Sequence, residues 1–151
     1  MILVDTNVLV ALVDERDAIH RLASRDLERH YPLGLGVTSP VLAEALFLLP
    51  KRYLRQRLAL LVDRLRPTPV ELEPPWWAEV FSWVDRYADH EPDLADAHLV
   101  ILATRDPRHK IWTYDREFRD VWRKADGSAL SIVGRRLRER RRKSPRLRSK
   151  A

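Results

Sequence analysis

The sequence predicts an α/β fold, with a mostly parallel central sheet of about five strands and helices on both of its faces. Short apolar runs of strand length alternate with longer helical segments along residues 1–133. That alternation is typical of β-α-β units, whose crossover helices cover a parallel sheet on both sides. A length of 151 residues and a hydrophobic content of 45% suit one globular domain.

Composition limits the chemistry and the location that we expect. The chain contains no cysteine, which excludes a disulfide framework, a thiolate metal site and a cysteine nucleophile. No apolar run approaches the length of a membrane-spanning helix, and the first residues lack the pattern of a secretory signal. We therefore expect a cytoplasmic protein that does not bind membranes.

The net charge of +6 comes from the end of the chain. From Arg135 onward there are ten Lys or Arg residues and one Glu, whereas the preceding residues hold 18 Lys or Arg against 21 Asp or Glu. We therefore predict a domain at 1–133 and a mobile basic tail at 134–151, which suits a polyanion such as nucleic acid. The residues expected to contact RNA are Arg135, Arg136, Arg138, Arg140, Arg141, Arg142 and Lys143.

The first strand and helix surround a single charge. Asp5 lies between the apolar runs 2–4 and 8–13, and Thr6 and Asn7 follow it. This pattern predicts a buried strand, a tight turn and a buried helix. A buried carboxylate needs a partner. Asp5 is therefore either a helix cap, a role that Asp, Thr and Asn all fill well, or part of a catalytic or metal site.

A second acid, Glu44, stands alone in an apolar helix. A charged helix at 17–30 and a strand at 33–37 precede it, and we expect Ser39 to cap the new helix with Pro40 at its first position. Glu44 is the only polar residue in 41–49, so the sequence predicts a helix buried nearly all round. Its carboxylate is then either functional or part of a structural salt bridge.

The middle of the chain has the pattern of structural elements. A basic helix at 51–66 carries leucines at helical spacing, which predicts one face packed on the core. A proline break, a short strand at 70–72 and a helix from Pro74 to about Asp89 follow. Aromatic residues recur in that helix beside Glu79 and Asp85, so we expect them in the core or a subunit interface rather than stacked on bases.

Two acids lie three residues apart at the start of the next helix, within 91–103. Asp93 has a structural explanation, because acids near a helix N-terminus meet the favourable end of the helix dipole. Asp96 lies deeper, and the residues after His98 are all apolar, so its structural explanation is weaker. His98 lies roughly 200° around the helix axis from Asp96, and we expect it to be structural.

The last predicted strands bring a further acid to the sheet. A strand at 110–114 contains Thr113 and ends just before Asp115; a short helix to about Trp122 and a strand at 130–133 follow. Ligands of open parallel sheets bind outside the carboxyl ends of the strands, where the four acids of Asp5, Glu44, Asp96 and Asp115 can converge. Oxygen ligands suit Mg²⁺ or Mn²⁺ rather than Zn²⁺, and a metal-bound water can attack a phosphodiester.

In this order, the motifs resemble those of PIN-domain ribonucleases, and above all the VapC toxins of toxin–antitoxin pairs. The motifs are Asp5-Thr6-Asn7, Glu44, Asp93-Leu-Ala-Asp96-Ala, and Thr113-Tyr-Asp115-Arg116 with Phe118. The resemblance implies a PIN-like three-layer sandwich, a metal-dependent endoribonuclease, a cognate antitoxin and a homodimer. It makes Asp5, Glu44, Asp96 and Asp115 the catalytic and metal-binding acids, supported by Thr6, Asn7 and Thr113. Asp93 is either a fifth acid or a helix-start residue.

Two other functions remain open. A haloacid-dehalogenase-type phosphatase also begins with a strand that ends in Asp, but it needs a second Asp where this chain has Asn7. A non-catalytic RNA-binding or regulatory module can use the same fold and the basic tail, although it has little need of four buried acids. Cleavage of RNA in the presence of Mg²⁺ or Mn²⁺ distinguishes these classes.

Overall fold

The computed structural model of this protein describes residues 1–135, and within them five strands form one parallel sheet. They are β1 (Ile2–Val4), β2 (Leu35–Val37), β3 (Thr68–Pro69), β4 (Lys110–Trp112) and β5 (Ile132–Val133). The strand order is β3-β2-β1-β4-β5, and every pairing is parallel. The chain moves outward from β1 to β3 and then returns to the other side of β1, so the strand order reverses between β1 and β4. That reversal is a topological switch point, where such sheets bind ligands.

Helices cover both faces of the sheet. Between residues 1 and 135 they are α1 (Thr6–Val13), α2 (His20–His30), α3 (Ser39–Leu48), α4 (Arg52–Leu65), α5 (Trp77–Arg86), α6 (Leu94–Arg105) and α7 (Glu117–Asp120). Right-handed crossovers place α1 to α4 on one face, where α1 contacts the other three, and α5 and α6 together on the opposite face. The predicted three-layer α/β sandwich is confirmed.

The hydrophobic core lies between these layers. All three residues of β1 are buried, and α6 is buried without interruption from Ala97 to Ala103. In α5 the aromatic Trp83 is buried beside Val80, and Trp76 and Tyr87 pack partly buried against the core, which confirms a core role for these residues, whereas Trp77 and Phe81 are exposed. No helix within residues 1–135 is long and apolar enough to cross a membrane.

The structure corrects the prediction that the helix around Glu44 is buried nearly all round. Leu46, Phe47 and Leu48 are exposed, and the side chain of Phe47 is 84% accessible to solvent. The helix α3 contacts α1 and α6, and it leaves this outward face uncovered. Thr38 rather than Ser39 caps it, because the Thr38 hydroxyl accepts a hydrogen bond from the backbone N–H of Val41.

Several predicted boundaries also move. The second helix begins at His20 rather than at residue 17, because Asp17 instead closes a turn by accepting a hydrogen bond from the N–H of Ile19. The third strand is Thr68–Pro69 rather than 70–72, since its short partner β2 ends at Val37. Of the tail residues predicted to contact RNA, Arg135 is exposed; Arg136, Arg138, Arg140, Arg141, Arg142 and Lys143 lie outside the described residues.

Candidate active site

Asp5 is buried at the carboxyl end of the central strand, with only 4% of its surface accessible. Its Oδ1 accepts a hydrogen bond from the backbone N–H of Thr6 (2.7 Å), and Asp5 is thereby the N-cap of α1. Its Oδ2 accepts from Asn7 Nδ2 (2.5 Å) and from Thr113 Oγ1 (2.6 Å). Capping therefore explains one carboxylate oxygen, whereas the other is oriented by polar side chains at the strand ends.

Asn7 and Thr113 connect the ends of β1 and β4. Asn7 Nδ2 donates to Thr113 Oγ1 (3.0 Å), and Asn7 Oδ1 accepts from the backbone N–H of Tyr114 (3.2 Å). Thr113 Oγ1 also accepts from the backbone N–H of Asp115 (2.9 Å). Because the Thr113 hydroxyl donates to Asp5 and accepts from two neighbours, it fixes the position of Asp5 relative to Asp115.

Glu44 faces the same end of the sheet from α3. Thr6 Oγ1 donates a hydrogen bond to Glu44 Oε2 (2.6 Å), which ties Glu44 to the residue after Asp5. Among residues 1–135, the ion pairs include none with Asp5, Glu44, Asp96 or Asp115. The alternative of a structural salt bridge for Glu44 is therefore unsupported.

Asp93 and Asp96 begin α6 with a reciprocal pair of hydrogen bonds. Asp93 Oδ1 accepts from the backbone N–H of Asp96 (2.8 Å), and Asp96 Oδ2 accepts from that of Asp93 (3.3 Å). This capping box gives Asp93 the structural role that the sequence offered for it. The charge of Asp93 also raises the pKa of Glu44, so Asp93 lies beside the four principal acids in addition to capping α6.

The acids of these four segments influence one another's pKa. Burial raises the pKa of Asp5 to about 7, and the charges of Asp115 and Glu44 add to the shift. Burial raises the pKa of Asp96 to about 8, with further contributions from Asp93, Asp5 and Asp115. Burial and then Asp93 raise the pKa of Glu44. The structure thus brings the predicted acids into mutual electrostatic range at the switch point.

The donor chemistry of this cluster fits a hard divalent cation. The donors are carboxylate oxygens, which Mg²⁺ and Mn²⁺ prefer, and no basic side chain pairs with the four principal acids in the described part of the chain. Among residues 1–135, no three Asp, Glu or His side chains lie close enough to one another to bind the same metal ion. Mg²⁺ needs only one or two carboxylates and keeps several waters, so the fit depends on few direct ligands.

His98 has a structural environment. Its side chain is buried, its Nδ1 lies 2.8 Å from the carbonyl oxygen of Leu94, and its ring packs edge-on against Trp77.

The sequence pattern did not predict that Asp26 of α2 is buried, with its carboxylate bound to the hydroxyl of Tyr114. The only signal of Asp26 in the sequence is that it shares the helical stripe of Leu22, Ala23 and Leu27.

Comparison with known proteins identifies the family. Residues 2–124 match the PIN domain. The chain belongs to the PIN domain family. No curated protein matches the sequence.

Two solved structures have the same fold as this PIN domain. VapC20 from Mycobacterium tuberculosis, described as a sarcin-ricin loop cleaving toxin, superposes with a TM-score of 0.65 at 22% identity, covering 78% of this chain and 92% of its own. VapBC2 from Rickettsia felis, solved with a DNA fragment from its promoter, gives a TM-score of 0.60 at 14% identity, covering 88% and 98%. At these identities the two structures support the fold.

Proposed function

We propose that this PIN domain is a metal-dependent endoribonuclease and the toxin of a type II toxin–antitoxin pair. One observation carries the proposal. Asp5 is buried at the topological switch point, within electrostatic range of Glu44 and Asp115, and without a basic partner in the described residues. A cluster of carboxylates is costly to ionise unless a cation compensates it, and a bound cation in turn attracts a phosphodiester. The description of VapC20 as a sarcin-ricin loop cleaving toxin supports a cleavage activity here.

In this proposal, Asp5, Glu44, Asp96 and Asp115 form the site for Mg²⁺ or Mn²⁺, in which one or two of them would bind the ion directly and the others would bind its waters. When bound there, the ion would supply a nucleophilic water and neutralise the scissile phosphate. The chain's own residues prepare the acids for this task, because Thr6, Asn7 and Thr113 hold the Asp5 carboxylate in one orientation.

The partners follow from the same proposal. The substrate is RNA, the regulator is a cognate antitoxin, and the location is the cytoplasm, where both are found. The name of the VapBC2 structure, which pairs a VapB with a VapC, supports an antitoxin partner for this chain. The proposed homodimer is supported by the exposed apolar side chains of Leu46, Phe47 and Leu48 on α3, since contiguous apolar surface of this kind marks interaction sites.

The first prediction tests the activity with the variant Asp5→Asn. Wild type should cleave total cellular RNA with Mg²⁺ or Mn²⁺, and Asp5→Asn should lower the rate by about 100-fold or more, as loss of a key electrostatic group does. The amide removes a charge, and its NH₂ group must face one of the donors of Thr6, Asn7 or Thr113. Cleavage is measured on end-labelled RNA, with the exposed α4 variant Asp63→Asn as a matched control.

A wild type that binds RNA but cuts none with either metal contradicts the nuclease proposal and favours the non-catalytic module.

The structure argues against the phosphatase alternative. The position that would need a second acid is Asn7, whose amide binds both Asp5 and the backbone of Tyr114.

A further inference from the structure

A chain of hydrogen bonds runs through the core behind the acids. Tyr114 Oη donates to Asp26 Oδ2 (2.8 Å) and accepts from Trp112 Nε1 (3.1 Å). All three residues are buried: Asp26 is 4% exposed, Tyr114 is 6% exposed and Trp112 is fully inaccessible. These hydrogen bonds therefore connect α2 to the end of β4 through the protein interior.

Burying the carboxylate of Asp26 at this position costs folding free energy. Its only ion pair among the described residues is with the solvent-exposed Arg29, at 3.5 Å. It also lies on the apolar stripe of α2, where a leucine would continue the packing of Leu22 and Ala23. Replacing buried ionic groups with apolar ones of similar size is often neutral or stabilising. Stability alone is thus a poor explanation for a carboxylate here.

Tyr114 connects this chain to the acids, because it lies between Thr113 and Asp115. Its backbone N–H donates to Asn7 Oδ1, while its hydroxyl is held by Asp26 on the opposite side. Thr113 Oγ1 reaches Asp5, whereas Tyr114 Oη reaches Asp26 of α2. Holding Tyr114 at both ends leaves the peptide from Thr113 to Asp115 in one orientation.

We infer that Asp26, acting through Tyr114, is a positioning residue for the proposed active site. It fixes the strand end that carries Thr113 and Asp115, and it does so from a helix that contributes no acid to the cluster. The inference rests on the proposed function. Misplacement of reacting groups by about 1 Å can lower a rate by roughly 100-fold, so the loss of this restraint should be visible in catalysis.

The test uses the full chain with the single variants Asp26→Leu and Tyr114→Phe and the double variant. Each single change leaves a buried polar group without its partner and should lower stability in urea unfolding. The double change removes both members of the Asp26–Tyr114 pair and should recover part of that stability, since the buried Trp112 Nε1 still lacks the acceptor that the Tyr114 hydroxyl provided. If the pair positions the site, kcat at saturating Mn²⁺ should fall at least tenfold in all three variants, with KM for RNA within about threefold of wild type. The Kd for Mn²⁺ should rise in parallel.

Two controls separate positioning from stability. Asp26→Asn keeps an acceptor for the Tyr114 hydroxyl and should retain most of the wild-type kcat. Thr104→Val removes a hydroxyl that donates to the carbonyl of Val100 at the far end of α6, and it should change neither kcat nor the Mn²⁺ affinity.

If the double variant has the same kcat and the same Mn²⁺ affinity as wild type, the inference is wrong. A wild type that cleaves no RNA contradicts the proposed function instead. In that case the Mn²⁺ affinities of the same variants decide the inference: weaker binding supports it and unchanged binding overturns it.

Discussion

Asp96 differs from Asp5 in how its carboxylate is held. Asp5 accepts three hydrogen bonds, whereas Asp96 accepts one long bond from the backbone of Asp93 and lies among like charges. An amide can replace the carboxylate of Asp96 without turning a donor toward another donor. Asp96 is therefore the position where the electrostatic cost of the site can be measured most directly.

The next prediction concerns the stability of Asp96→Asn without metal. Burial raises the pKa of Asp96 to about 8 from its usual 3.8, so the folded state favours the protonated acid. That contribution is complete below about pH 4 and is lost as pH rises from there through about 8. At pH 8, Asp96→Asn should therefore be more stable than wild type by roughly 1–2 kcal/mol, a figure discounted for its partial exposure.

Urea unfolding in EDTA at pH 4 and pH 8 measures this effect, with Asp63→Asn as the surface control. The advantage of Asp96→Asn should vanish at pH 4, and it should shrink when Mg²⁺ is added to wild type at pH 8, because a bound ion stabilises the ionised acids. An equal advantage at both pH values would show that repulsion among the acids is not its cause.

At the scale of single residues, sequence could predict the acids and the supporting residues Thr6, Asn7 and Thr113, but not Asp26. Asp5, Glu44 and Asp96 each stand out as a charge within an apolar segment, a signal that needs no partner to be seen. Asp26 stands on an ordinary charged helix, and its partner Tyr114 lies 88 positions away. Only the packing of α2 against β4 reveals that the two meet.

At the scale of elements, α3 shows why an apolar helix is ambiguous. Its composition predicts burial, but composition cannot distinguish burial in the protein's own core from burial against another chain. The helix packs on α1 and α6, and its opposite face exposes Leu46, Phe47 and Leu48. The acid Glu44 is held on the packed side, where Thr6 reaches it.

A variant of this face tests the proposed homodimer. If α3 forms the subunit interface, Phe47→Ser should raise the dimer dissociation constant by at least tenfold, because Phe47 is the most exposed of these apolar side chains and burial of such a ring is worth roughly 1.5–3 kcal/mol. Sedimentation equilibrium measures the change. Leu60→Ser, at another exposed apolar position on α4, is the matched control. A Phe47→Ser protein that dimerises like wild type would place the interface elsewhere.

The end of the sheet gives a second prediction at this scale. Gly134 follows β5 with φ of +100°, and a Cβ atom there would lie 2.8 Å from the carbonyl oxygen of Thr113. Gly134→Ala should therefore destabilise the domain by roughly 1–3 kcal/mol and disturb the strand that carries Thr113. Urea unfolding measures the loss, and Gly127→Ala, which also has positive φ but no close neighbour, is the control. Equal losses in both variants would mean that backbone conformation alone sets the cost.

At the scale of the whole molecule, the alternation of segments was sufficient to predict the layers. Buried strands and helices are recognisable from the periodicity of their apolar residues, and the acids that follow strand ends predicted the edge of the sheet where the acids meet. The lengths of the strands were less predictable. The strand β3 has only two residues, and its extent depends on where its neighbour β2 ends, which no local pattern records.

Charge is also distributed at this scale, and it yields the last prediction. Residues before Arg135 carry 18 basic and 21 acidic side chains, whereas ten basic residues follow. Removal of residues 135–151 should leave the unfolding free energy and Mn²⁺ affinity unchanged but weaken RNA binding. The slope of log K against log salt should fall by about 0.7 for each RNA phosphate that the tail neutralises in the full chain. Fluorescence anisotropy measures it, with a tail of equal length carrying Gln for each Arg as the control. An unchanged slope would show that the tail does not touch RNA.

The hydrogen bond between Asp5 and Thr113 has a consequence for synthesis of the protein. It joins residues 108 positions apart, and β4 can pair with β1 only after nearly the whole domain has left the ribosome. Contacts between such distant segments form late, because the intervening chain must first be ordered. A nascent chain therefore carries its first acid from the start of translation without an assembled cluster. Under the proposed nuclease function, this topology would delay activity until translation of the domain is essentially complete.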